Sequence, residues 1–147
     1  MSGRMSVTKL TAVALTLGAL AACKLPTEPS PLAPFSITDL VVGTGAAAAS
    51  DDIVSVLYTG WIYDPNAAEN KGRQFDSTDG KAFLLALGRG QVIVGWDQGI
   101  PGMRVGGTRR LVIPYDLAYG ATGVPGTIPG YATLLFDIEL LGRTAPR

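Results

Sequence analysis

Between residues 53 and 63 the side chains alternate between two faces. Val54, Val56, Tyr58, Gly60 and Ile62 fall on one, and Ser55, Leu57, Thr59, Trp61 and Tyr63 on the other, the period of a β-strand. Residues 131–141 repeat the pattern, with Leu134, Phe136, Ile138 and Leu140 inward and Asp137 and Glu139 outward. Shorter runs at 35–42, 74–77, 83–87 and 108–113 also read as strands, the third putting Phe83, Leu85 and Leu87 on one side. Residues 64–73 carry polar turn chemistry and 114–130 are rich in Gly and Pro, so both read as loops. The alanine tract at 46–50 has no second apolar stripe to pack and also reads as loop, despite alanine's helix propensity.

One stretch breaks the strand period. In residues 91–107, QVIVGWDQGIPGMRVGG, Val92, Trp96 and Ile100 recur four residues apart and stack on one face of a helix. Gly99, Pro101 and Gly102 end that helix after about two turns. A helix so short persists only when packed, and a buried indole at Trp96 wants a partner for its ring N–H. The pattern therefore predicts four or five antiparallel strands closed over a central helix. The class is α+β: an antiparallel five-stranded half-barrel sheet wrapped around one short helix, with the other sheet face towards water.

The chain has 147 residues, 47% of them apolar, enough for one domain with a real core. Its 12 basic and 12 acidic residues balance, and without Arg4 and Lys9 the count is 10 against 12. No basic stripe supports nucleic-acid binding. There is no histidine and only one cysteine, Cys23. That composition excludes histidine acid–base chemistry, most zinc sites and an intrachain disulfide. Gly106-Gly107 and the GATG at 120–123 do not sit between a strand and a helix, so they do not read as a nucleotide loop.

The amino-terminal end is organised differently. Arg4 and Lys9 precede an apolar run at 10–20, too short for a confident membrane span, and Leu20-Ala21-Ala22-Cys23 follows. This end resembles the lipobox of bacterial lipoproteins, which implies a signal peptide over 1–22 and lipidation of Cys23. The alternative is an ordinary signal peptide with an incidental cysteine. Lys24 after the cysteine implies the outer membrane, facing the periplasm, or the cell surface. Residues 23–34 are then the lipid-bearing cysteine and a proline-rich linker, semi-rigid and extended, ahead of a domain at 35–142.

Aromatic and aliphatic side chains gather around the helix: Tyr58, Phe75, Phe83, Val92, Ile93, Trp96, Tyr119, Ile128 and Phe136. Polar groups among them, Asp76 beside Phe75 and the hydroxyls of Tyr58 and Tyr119, point to a pocket rather than plain core. The motifs VLYTG at 56–60, FDS at 75–77, VIVGWDQGIPGM at 92–103, LAYGATG at 117–123 and ATLLFDIELL at 132–141 resemble the FKBP-type peptidyl-prolyl isomerases in order and spacing. The resemblance implies Trp96 as pocket floor, with Tyr58, Phe75, Phe83, Val92, Ile93 and Phe136 as walls and Ile128 as a further contact. It implies that the Ile93 N–H and the Tyr119 hydroxyl bond substrate carbonyls and that the Asp76 carboxylate reaches across to Tyr58. Tyr58, Asp76, Trp96, Tyr119 and Phe136 are thus the candidate catalytic residues.

Further implications are no cofactor and no metal, proline-containing polypeptides as substrates, macrolides of the FKBP class as inhibitors, and a monomer held at a membrane by lipid. The loop from Phe75 to Phe83 lacks the arginine many members carry. Val124 stands in place of a histidine, Thr127 replaces an aliphatic residue, and the loop after Gly60 is long. These departures touch the rim, where they bear on substrate preference and inhibitor affinity. The rival reading is a binding module or chaperone that grips proline peptides without turnover.

Overall fold

The computed structural model describes residues 33–147; the leader, Cys23 and the linker up to residue 32 lie outside them. Six strands form one antiparallel sheet: β1 Ser36–Val41, β2 Ile53–Tyr63, β3 Lys71–Ser77, β4 Phe83–Ala86, β5 Thr108–Ile113 and β6 Leu134–Thr144. The order across the sheet is β1-β5-β6-β2-β3, and β4 takes the stretch of the β2 edge that β3 leaves free. β3 covers Thr59 to Tyr63 of β2, and β4 covers Ile53 to Val56. That sharing of one edge makes the sheet six-stranded rather than five.

The alternation in the two long strands gives the inner face. Val54, Val56, Leu134, Phe136, Ile138 and Leu140 are all buried, joined by Leu111 and Ile113 of β5 and Leu85 of β4. The outer face mixes apolar side chains, among them Leu57, Trp61 and Val112, with polar ones, and it carries a charge ladder. Arg110 makes a two-pronged pair with Asp137 directly opposite it (2.7 and 2.8 Å), and Lys71 adds a third bond to Asp137 at 3.1 Å. Lys71 also lies over the Trp61 ring, 4.6 Å from its centroid. Leu135 also faces outward yet is fully buried, between Trp61 and Val112 in the register.

The single α-helix among the described residues, α1, spans Val94–Gly99. It lies on the inner face with Trp96 and Ile100 buried, but Val92 precedes it rather than forming its first turn. The cause is the incoming chain. Asp97 accepts from the Gly88 N–H (2.9 Å) and the Gly90 N–H (3.1 Å), and Gln91 accepts from the Ala86 N–H (3.0 Å). These bonds hold residues 86–91 in a turn, so Ile93 is still extended and the helix starts only after it. The close seat on β5 requires Gly95: a Cβ there would overlap the Ile113 side chain.

Two strand boundaries also differ from the sequence pattern. β3 begins at Lys71, inside the predicted 64–73 loop, because Lys71 is held opposite Tyr63 in the ladder. β6 starts at Leu134 and continues to Thr144, where Gly142, Arg143 and Thr144 pair with the first residues of β2. Arg143 then closes on buried Asp52 at 2.7 Å, a tie between the two strand ends.

Candidate active site

A cleft of about 180 Å³ opens between α1, the β2–β3–β4 side of the sheet and the loop after β5. Trp96 lies within it, 3% exposed, and three aromatic rings stand edge-on to it. Centroid separations are 4.8 Å to Tyr58, 5.3 Å to Phe136 and 6.5 Å to Phe83. Phe75 completes the wall against Phe136 at 5.5 Å and 87°. Such perpendicular packing sets the positive ring edge against the negative face and locks each ring by its neighbours. Gly60 makes the arrangement possible, since a Cβ there would sit 2.7 Å from both Phe136 and Phe75.

The Trp96 ring N–H is buried and has no hydrogen-bond partner among the described residues. The partner that burial of an indole predicts is therefore absent among the described residues. Aromatic rings surround the indole instead, which keeps the floor of the cleft apolar.

The polar edge is built by two strands. Tyr58 of β2 donates its hydroxyl hydrogen to Asp76 Oδ2 of β3 at 2.6 Å, and Asp76 Oδ1 accepts from the Ser77 N–H at 2.9 Å. Burial and then the Asp76 bond push the Tyr58 phenol well above the ordinary tyrosine range. Burial and the nearby Asp76 charge push Tyr119 up as well. Both phenols therefore stay protonated at neutral pH and keep their donor hydrogens. The Tyr119 side chain lines the rim, 42% exposed, and Phe83 opposite is 40% exposed.

Val92 and Ile93 enter the lining from the extended chain ahead of α1. The Ile93 carbonyl caps the helix by accepting from Trp96 at 3.0 Å, while no described residue accepts from its N–H. That N–H is a donor available to a ligand.

Of the ten residues singled out from the sequence, nine line this cleft: Tyr58, Phe75, Asp76, Phe83, Val92, Ile93, Trp96, Tyr119 and Phe136. Ile128 does not. Mutual backbone bonds with Val124 (2.8 and 2.9 Å) close a tight turn there, and its side chain, 5% exposed, belongs to the core. Gln91, outside those ten, is also part of the lining. Among the described residues no group of three or more acidic, histidine or cysteine side chains could hold a metal ion.

The FKBP-type peptidyl-prolyl cis-trans isomerase family model matches residues 45–141. The FK506-binding protein of Neisseria meningitidis serogroup A is 46% identical over 107 residues, covering 71% of this chain and 92% of that protein. FK506-binding protein 4 of Emericella nidulans is 51% identical over 106 residues, 71% of this chain but only 20% of that protein. This chain thus spans about a fifth of the fungal relative's length. Among solved structures, AtFKBP13 superposes with a TM-score of 0.64 at 39% identity, covering 75% of this chain and 93% of that one.

Proposed function

The chain belongs to the FKBP-type peptidyl-prolyl cis-trans isomerase family, and on that premise we propose that its cleft accelerates rotation about X–Pro bonds in exported polypeptides as they fold. The observation that carries this reading is the apolar aromatic floor at Trp96 beside donors with no partner among the described residues, the Ile93 N–H and the Tyr119 hydroxyl.

Resonance keeps the X–Pro amide planar behind a barrier of about 18–20 kcal/mol, and uncatalysed isomerisation takes roughly tens to hundreds of seconds. The planar amide is more dipolar than the twisted one. A cleft walled by Tyr58, Phe75, Trp96 and Phe136 solvates the planar form poorly and suits the twisted form better. The Ile93 and Tyr119 donors hold the flanking carbonyls while the bond turns. No proton changes hands, in keeping with a chain that has no histidine. Each factor of ten in rate needs about 1.4 kcal/mol of differential binding.

The same proposal extends to the ends and the ligands. Residues 1–22 act as a lipoprotein signal peptide, Cys23 carries lipid, and residues 24–34 hold a monomeric domain off the outer membrane on its periplasmic side or at the cell surface. The Leu-Ala-Ala-Cys sequence supports this. The names of the two relatives speak of FK506 binding, and we extend macrolide binding to this cleft. A protease-coupled assay on a proline tetrapeptide tests the central reading. Acceleration over the uncatalysed rate is expected; peptide binding without acceleration would replace it with a binding module or chaperone.

A further inference from the structure

We propose that Arg109, held by Asp39, is the positioning residue that fixes Trp96 as the floor of the cleft, so that an edge strand without substrate contact sets the isomerase rate. The inference rests on the isomerase reading of the cleft. It starts from the size of α1, six residues, which hold no place of their own without packing. Contact between Gly95 and Ile113 sets how deep the helix lies on β5. It leaves open how far along β5 the helix slides.

The carboxyl end settles that. The last carbonyls of a helix lack partners within it. Here Arg109 Nη1 donates to Gly99 O at 2.8 Å and to Pro101 O at 3.1 Å. Arg109 comes from the inner face of β5 and is 8% exposed. Its remaining donors engage Asp39 of β1, Nε to Oδ1 at 2.6 Å and Nη2 to Oδ2 at 3.2 Å. A guanidinium is planar and rigid, so fixing one side in a two-pronged pair aims the other. Trp96 is one turn away, and its carbonyl accepts from the Ile100 N–H at 2.9 Å. A shift of residues 99–101 is therefore passed to the indole and the rings packed edge-on to it. Neither Asp39 nor Arg109 lines the cleft.

A plain stabilising pair would show the same contacts, so the test separates position from stability. Asp39→Asn removes the charge at constant shape, and Arg109→Lys keeps charge but loses the planar fork. Arg110→Gln is the control: it is the next residue on β5, with its ion pair to Asp137 on the opposite sheet face. The measurements are Tm, kcat/KM for a proline tetrapeptide well below Tm, and the Trp96 indole ¹H–¹⁵N resonance. Asp39→Asn and Arg109→Lys are expected to lower kcat/KM about fivefold or more, given that a 1 Å misplacement of a site can cost about a hundredfold. Both should move the Trp96 resonance, whereas Arg110→Gln should lower Tm and leave the resonance and kcat/KM in place. Unchanged kcat/KM and an unmoved resonance in Asp39→Asn and Arg109→Lys would overturn the proposal, whatever their Tm. If the wild type has no turnover, the isomerase reading fails separately, and the resonance alone decides whether Arg109 positions Trp96.

Discussion

At the scale of single residues, Asp76 separates chemistry from stability best. Trp96→Ala and Phe136→Ala each empty a site that is only 3% exposed, at a cost of about 3–5 kcal/mol, so lost activity in either is ambiguous. Asp76 is exposed, and its bond to Tyr58 lies at the cleft edge. Asp76→Val keeps the volume roughly constant while removing the acceptor. The variant is expected to stay folded, with a small fall in Tm, and to lose about tenfold or more in kcat/KM, equivalent to about 1.4 kcal/mol. Tyr119→Phe deletes one neutral donor and should lose less, since such a bond contributes about 0.5–1.5 kcal/mol. Wild-type turnover in Asp76→Val would leave the carboxylate with a structural role only. Most of this site was legible in the sequence because ring-bearing residues and their spacing repeat a recognisable order. Ile128, Gln91 and Arg109 were not. Whether such a side chain faces a cleft, a turn or a helix end depends on backbone groups brought close only by the folded chain.

Among the elements, the strands were easier to read than the helix. β5 falls at the residues its alternation marks, 108–113, and β2 likewise at 53–63, because period 2 survives wherever one face is buried. The Val92–Trp96–Ile100 spacing suggested nearly one turn more helix than exists. Side-chain bonds from Asp97 and Gln91 to the preceding turn override a period that three apolar residues define only weakly. The same element offers a test in which propensity and packing oppose each other. Gly95→Ala should strengthen α1 by about 1 kcal/mol on helix propensity alone. Its methyl would overlap the side chain of Ile113, which is fully buried and has nowhere to go. Overpacking of this kind costs about 1–3 kcal/mol, so packing wins and Tm should fall. The helix should also lift from β5 and weaken proline-peptide binding. A rise in Tm would mean that α1 sits farther from β5 than its glycine implies.

For the whole molecule, two predictions concern how the domain is held from outside and from within. The lipobox reading expects a fatty-acid label on the wild type and none on Cys23→Ser; equal labelling of both would remove the anchor from the proposal. Within the domain, three carboxylates join strands that are distant in sequence. Asp39 ties β1 to β5, Asp52 ties the start of β2 to the end of β6, and Asp137 ties β6 to β5 and β3. The Arg109 bond holds the Asp39 carboxyl below its ordinary range, and the Arg143 bond followed by the Ala49 N–H does so for Asp52. Burial pushes Asp137 up, but bonds from Arg110 and Lys71 outweigh it and leave the carboxyl lowered. A carboxyl depressed on folding contributes stability that is fully present above its unfolded pKa of about 3.9 and is lost as pH falls through the folded value. Below about pH 4 the unfolded chain takes up protons that the folded chain resists, while the arginines stay charged and lose their partners. The denaturation midpoint should therefore hold level from pH 7 to about pH 5 and fall steeply below pH 4. Asp137→Asn should be less stable at pH 7, and its acid loss should be shallower, because the contribution of one depressed carboxyl is already gone. An acid slope in Asp137→Asn as steep as the wild type's would place the pH dependence in other carboxylates and leave Asp137 without a share in it.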